Sequence, residues 1–174
     1  MDGMSSTCLL TLALRRLGAD VHPFIPNRFG EGYGLSREAL ARVRQTCEPD
    51  LVITVDNGIA AREEVAWLVS EGVDVVVTDH HEPADLVPEG VPVTDPKLSA
   101  DCPSRELAGA GVALKLVCEL GRRLGQPDLW LDYTDVATLG TLSDMMLLQG
   151  ENRALGGRGP RAHAPGRPAR PGRP

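Results

Sequence analysis

Aromatic side chains are nearly missing from this chain. Two Trp, two Tyr and two Phe among 174 residues leave the core to Leu, Val, Ile and Ala, within an apolar share of 42%. Cysteine is sparse too. Cys8, Cys47, Cys102 and Cys118 are scattered without a Cys-x-x-Cys pair. That pattern reads as reduced thiols in a cytoplasmic protein, serving as small core hydrophobes. No apolar run approaches the roughly 20 residues needed to cross a bilayer, so no membrane role is expected. There is no phosphate-binding Walker loop and no nucleophile elbow, which removes the commonest nucleotide-hydrolase and serine-hydrolase readings. Acidic residues are absent after Ala154, where five arginines fall (158, 161, 167, 170, 173). The whole chain carries a formal charge of −6; without those arginines, residues 1–153 hold 13 basic against 24 acidic side chains, a net of −11. Such an acidic body argues against a broad electrostatic nucleic-acid surface and suits a site that gathers carboxylates around cations.

What is present has the rhythm of an α/β domain. "SSTCLLTLALRRLG" predicts a helix capped at Ser5 or Ser6 and closed by Gly18. A short strand is expected at Val21–Ile25, then a Gly-rich turn segment, "PNRFGEGYGL". "SREALARVRQTC" predicts a helix capped by Ser36. "DLVITVDNG" is a short continuous apolar run, as expected of a strand buried on both faces. "AAREEVAWLVSEG" predicts a helix with Val65, Leu68 and Val69 on its apolar side, and "VDVVVTDHH" a second buried strand. Strand, helix and strand within about thirty residues make a βαβ unit, so the sheet is mostly parallel and flanked by helices. "VPVTDP" offers one more short strand, and helices are expected near 107–124 and 128–143. "GAGVAL" at 109–114 approaches a dinucleotide fingerprint but has Leu114 in place of the third glycine and follows a loop, so it is discounted. Residues 156–174, "GGRGPRAHAPGRPARPGRP", cannot bury a core, and disorder is expected there. This stretch reads as an arginine-rich nucleic-acid tail or as GC-rich DNA translated out of frame. The second reading is favoured, because the patterned sequence stops mid-motif.

The chemistry concentrates at strand ends. Asp56 and Asp79 each close a predicted parallel strand, and in open α/β sheets those carboxyl ends border the ligand crevice. His80 and His81 belong there with them. Asp2 stands just before a helix N-terminus, and Asp144 ends the helix expected near 128–143. Crowded carboxylates and an imidazole repel unless a cation neutralises them. Oxygen-rich ligation with one or two imidazoles favours Mn²⁺ or Mg²⁺ over zinc–thiolate chemistry, and two such ions suit phosphoryl transfer. Any one of these acids alone would read as a cap or turn residue, and either histidine alone as an ordinary imidazole. Adjacent strand residues face opposite ways, so His80 as ligand and His81 as phosphate contact or general acid is a division that respects the geometry.

"VTDHHEP" resembles the signature of the DHH phosphoesterase superfamily, and "VDNGI", 23 residues earlier, resembles its preceding motif. "MDGMSST" is similar to the end of that superfamily's first motif, and "LGTLSDMMLLQGENR" to the segment carrying its last metal-binding aspartate. "IPNRFGEGYGL" and "ELAGAGVALKL" narrow the resemblance to the RecJ family of single-stranded-DNA-specific exonucleases, over nearly all of residues 1–155. The resemblance implies that Asp2, Asp56, His80 and Asp144 hold Mn²⁺ or Mg²⁺, with Asp56 bridging two ions. It implies that His81 contacts the scissile phosphate and that Asp79 orients the histidines. Arg28 becomes a candidate for gripping a DNA phosphate, with Phe29 and Tyr33 beside it able to stack on bases or pack the turn.

The resemblance also sets expectations about what lies outside the chain. RecJ-like proteins have a strand and another aspartate before the position of Asp2, so a partial DHH domain with its first strand missing is expected over 1–155. Activity of this chain alone is expected to be impaired. Digestion from 5′ to 3′, a monomer, and DNA repair and recombination partners follow from the family. Two alternatives stand beside this reading: a DHH phosphodiesterase acting on short RNA or cyclic dinucleotides, and a metal-binding remnant without catalysis.

Overall fold

The structure is a computed structural model that describes residues 1–26, 34–83 and 85–158. Its elements run in the order α1 (Asp2–Arg16), α2 (Arg37–Cys47), β1 (Leu51–Val55), α3 (Arg62–Ser70), β2 (Asp74–Thr78), β3 (Val93–Thr94), α4 (Gly109–Arg123), α5 (Thr134–Ser143) and α6 (Gly150–Arg158). Short 3-10 turns at Pro96–Leu98 and Leu129–Tyr133 precede α4 and α5. Among the described residues the sheet has three strands in the order β1-β2-β3, all parallel. The register pairs Leu51 with Asp74 through Val55 with Thr78, and Thr78 with Thr94. Parallel strands share one carboxyl edge, so Asp56, Asp79 and Asp95 emerge side by side.

Strand alternation divides the core in two. Ile53 and Val55 pack against a cluster built from α1, α4 and α5, including Leu9, Ala13, Ala110, Ala113, Val117 and Ala137. Val52 turns to the other side, where Leu40 of α2, Val65 and Leu68 of α3, and Val75 and Val77 of β2 form a second cluster. The first cluster is rich in alanine, which lets α1, α4 and α5 approach one another closely and seats their ends near the sheet's carboxyl edge. No described helix is long and apolar enough to cross a membrane.

Several expectations shift. The first helix begins at Asp2, not at a serine cap: Ser6 lies within it and donates its hydroxyl back to the Asp2 carbonyl at 3.0 Å. Residues 21–25 form no strand; no strand among the described residues pairs with them, and Pro23 lacks a donor for a ladder. Ser36 does cap α2, accepting from the Ala39 N–H at 3.2 Å. β1 is covered on both faces, by Ile53 and Val55 packing on one side and Val52 on the other, but it is the outer strand of the described sheet, so its residues are mostly half-buried and Leu51 is exposed. Val69 is exposed as well, since only Val65 and Leu68 of α3 reach the core. The stretch from 128 to 143 is a 3-10 turn followed by α5, because the chain tightens around buried Leu129 and Tyr133 before the helix opens. None of the four cysteines is a buried core residue; all are free, with Cys8 exposed.

α6 carries helix as far as Arg158, past the boundary expected at 155, and residues 159–174 lie outside the described residues. It docks through Leu155, which is buried and whose carbonyl accepts from Thr138 Oγ1 at 2.9 Å. Asn152 donates its side-chain amide to the carbonyls of Glu106 and Leu147. Glu151 accepts from Ser104 and pairs with Lys115. Partial burial alone would raise the Glu151 carboxyl, but the hydrogen bonds from Lys115 and Ser104, with the lysine's charge, hold it below the ordinary value of 4.5. A carboxyl lowered by folding stabilises the protein above its unfolded pKa, and that contribution is lost as pH falls through the folded value. The wild type should therefore lose more stability than Glu151→Gln between pH 6 and pH 3 in urea titrations. The difference should be no more than ~1 kcal/mol, because the pair is partly solvated.

Candidate metal centre

Four segments distant in sequence meet at the carboxyl edge of the sheet. His80, just after β2, places its Nε2 2.9 Å from Asp56 Oδ1, 3.7 Å from Asp2 Oδ2 and 3.7 Å from Asp144 Oδ2. Potential ligand atoms of Asp2, His80 and Asp144 all lie within 4.8 Å of one another, as do those of Asp56, His80 and His81. The two groups share His80. All four residues expected to hold metal are thus brought together.

Each side chain is aimed by its own backbone. Asp56 follows β1 with φ +55°, in the left-handed region that aspartate tolerates better than most residues. Gly58, at φ +111°, completes the turn, and a Cβ there would lie 2.7 Å from Thr54 Oγ1. Asp144 is the C-cap of α5, and the chain turns sharply after it at Met145, φ +56°. Asp2 is buried at the start of α1, where its carboxylate accepts from the first N–H groups of α4: Gly109 at 2.7 Å and Ala110 at 3.0 Å. A helix N-terminus offers unpaired donors and a partial positive charge, so α4 acts as a fixed counter-dipole for this acid.

Asp79 does different work. It is almost wholly buried, and its oxygens are filled by protein donors: Oδ2 by Ile59 N–H at 2.9 Å, Oδ1 by His80 N–H at 2.7 Å and His81 Nδ1 at 2.6 Å. It therefore ties the β1–α3 turn to the two histidines. His81 lies beside His80 and Asp56 but nearer solvent; its side chain is 54% exposed. Its ring stands 4.5 Å from that of His80, tilted by 50°. With Nδ1 held by Asp79, Nε2 is the ring atom left for a ligand or a substrate.

The electrostatics fit a divalent cation. Burial, then the neighbouring Asp56, raises the Asp2 carboxyl above its usual range, against the opposing pull of Ala110 N–H, His80 and Gly109 N–H. Burial disfavours a charged His80, but the hydrogen bond and charge of Asp56, with the charges of Asp2 and Asp144, outweigh it and raise the imidazole. Three carboxylates converge on one ring that can supply at most a single positive charge. Hard oxygen donors with imidazole nitrogen are the set that Mn²⁺ and Mg²⁺ accept.

Sequence reasoning missed the glycines that make this crowding possible. A Cβ on Gly109 would stand 2.7 Å from Asp56 Cβ, and one on Gly3 would stand 3.0 Å from Asp56 Oδ2. A Cβ on Gly140 would lie 2.5 Å from both Asp2 Oδ1 and Ala110 Cβ. The small residues of "GAGVAL" are thus a packing device at the α4 N-terminus, and their tight spacing in the sequence was the available signal. Arg28, Phe29 and Tyr33 lie outside the described residues. Gly140→Ala should push Asp2 off the α4 N-terminus and cost about 1–3 kcal/mol by overpacking, read in urea titrations. Gly157→Ala, where nothing lies within 4 Å, should leave stability unchanged within ~0.5 kcal/mol.

Residues 1–141 match the DHH family, N-terminal domain. The single-stranded-DNA-specific exonuclease RecJ of Thermus thermophilus is 46% identical over 155 residues, covering 88% of this chain and 22% of that protein. RecJ of Escherichia coli is 39% identical over 168 residues, covering 88% of this chain and 29% of its own length. A crystal structure of exonuclease RecJ bound to manganese superposes with a TM-score of 0.84 at 43% identity, over 92% of this chain and 40% of that one. RecJ of Thermus thermophilus in complex with Mn²⁺ gives 0.79 at 40% identity, over 92% of this chain and 22% of that one. The chain spans less than a third of the length of these two curated relatives. By a match that runs from Asp2 through the DHH triplet and most of α5, the chain belongs to the DHH family.

Proposed function

We propose that residues 1–155 are a RecJ-type DHH unit that hydrolyses phosphodiester bonds of single-stranded DNA, from the 5′ end, with Mn²⁺ or Mg²⁺. One observation carries the reading: the carboxylates of Asp2, Asp56 and Asp144, from three remote segments, converge on His80 Nε2 within 3.7 Å. Similarity to RecJ proteins whose crystal structures hold manganese or magnesium supports the choice of ion.

Asp2, Asp56, His80 and Asp144 would hold the metal. Divalent ions, when bound in such a pocket, acidify a water and neutralise charge on the phosphoryl oxygens. The protein's own part is to orient and to handle protons. Asp79 accepts the Nδ1 proton of His81 and so leaves Nε2 as the free ring atom; in the imidazolium form its N–H can contact the scissile phosphate or pass its proton to the leaving oxygen, the ring reverting to the neutral Nδ1–H form. Arg28 is assigned to a DNA phosphate. The acidic body makes broad non-specific adhesion to DNA unfavourable, so substrate should be gripped near the pocket. A monomer in the cytoplasm, working with DNA repair proteins, completes the proposal.

The test is degradation of a 5′-labelled single-stranded oligonucleotide by the full chain with Mn²⁺, beside duplex DNA and linear and cyclic dinucleotides. Mn²⁺ binding is followed by calorimetry. Slow mononucleotide release from single strands alone is the expected result, abolished by EDTA, since activity of this chain alone is expected to be impaired. Asp56→Ala and His80→Ala should lose both binding and cleavage. His81→Ala should keep Mn²⁺ and lose roughly 10²–10⁴-fold in kcat. Cleavage of dinucleotides alone would move the function to the small-substrate phosphodiesterases. Tight Mn²⁺ binding with no cleavage of any substrate would leave only a metal-binding role.

A further inference from the structure

Three parallel strands end in an aspartate, and only two of those acids have a place in the site so far. The third, Asp95 after β3, is 8% exposed. Its Oδ1 accepts from Lys97 N–H at 2.7 Å and caps the Pro96–Leu98 turn. Its Oδ2 is buried and has no hydrogen-bond partner. His80 presents the same situation: Nε2 faces the carboxylates, while Nδ1 is buried without a partner. Buried polar atoms are almost always satisfied by protein or by ordered water.

The two orphaned atoms belong to adjoining strand ends. Thr78 pairs with Thr94, and Asp79 N–H donates to the Thr94 carbonyl at 3.0 Å, so His80 and Asp95 leave the sheet beside each other. They also interact electrically. Burial is the largest influence on the Asp95 carboxyl and raises it; Lys97 N–H lowers it, Asp79 raises it, and the His80 charge lowers it. Asp79 cannot serve His80 Nδ1, because its oxygens already take Ile59 N–H, His80 N–H and His81. Thr54 Oγ1, another buried orphan, lies against the Gly58 turn on the β1 side.

We propose that Asp95 is a positioning residue for His80, accepting the Nδ1 proton through one bridging water and so holding the Nε2 lone pair toward the metal pocket. Metal-ligating imidazoles commonly donate their second N–H to a carboxylate, directly or by way of water, which fixes the tautomer and ring orientation. A water joining the two atoms would have a polar partner at each end. The inference rests on the reading of His80 Nε2 as a metal ligand.

Three variants and one spectrum test it on the full chain. Asp95→Ser keeps a cap for Lys97 N–H but removes the second oxygen; Asp95→Asn keeps both an acceptor for the cap and a second polar atom. Calorimetry with Mn²⁺ should show Asp95→Ser weakened 10- to 100-fold and Asp95→Asn within a few-fold of wild type. Glu82→Gln, which removes only the exposed partner of Lys97, should bind as wild type does. In Mg²⁺-saturated wild type, ¹⁵N spectra should show His80 protonated at Nδ1 and not at Nε2. Wild-type affinity in Asp95→Ser, or an unprotonated Nδ1, overturns the positioning role and leaves the metal site standing. Failure of wild type to bind either ion overturns the site and this inference together. Should Asp95→Ser not fold, the wild-type ¹⁵N spectrum decides alone.

Discussion

Negative charge gathered in a largely buried pocket is the constraint around which the rest of this protein is arranged. Asp2, Asp56 and Asp144 surround one imidazole, and burial, then the neighbouring Asp56, pushes Asp2 toward its neutral form. Like charges at such spacing repel strongly once water is removed. Each structural feature nearby answers that repulsion. The α4 N-terminus turns its free N–H groups on Asp2, His80 stands between the acids, and the parallel strands place their termini along one edge.

Close approach is the second requirement, and it is met by leaving atoms out. Gly3, Gly109 and Gly140 surround Asp2 and Asp56, and a single methyl at the latter two would fall well inside van der Waals contact with a carboxylate. The alanine-rich contact among α1, α4 and α5 serves the same end on a larger scale. Packing and chemistry are therefore one problem here. The helices that bury Leu9, Ala113 and Ala137 are those whose ends deliver Asp2, Gly109 and Asp144.

The adjacent histidines have separate environments although their rings stand 4.5 Å apart, because one is buried and the other faces solvent. His80 turns inward among acids, while His81 is held at its Nδ1 by Asp79 and remains half in solvent. Asp79 is thereby a brace, not an open ligand: a buried carboxylate with its hydrogen-bonding capacity filled by protein has little left for a cation. The triplet Asp-His-His distributes its work by burial.

Much of this was legible in the residues. Apolar runs stopping at Asp56 and Asp79 show two strands with titratable ends, and the helix between them makes those strands parallel, so both acids must share an edge. The Ser36 cap and the inward face of α3 at Val65 and Leu68 follow from local periodicity. Local pattern could not tell that Val21–Ile25 has no strand to pair with, that β1 is an outer strand, or that Ser5 and Ser6 lie inside α1, because each depends on neighbours far along the chain. Nor could it show that "GAG" lies against two carboxylates from other elements, or that Asp95 and His80 each bury an unpaired atom. Periodicity and strand-end chemistry act over a few residues and can be read from order alone. Hydrogen bonds and close contacts between residues far apart in sequence, 108 positions in the case of Asp2 and Ala110, exist only once the chain has folded.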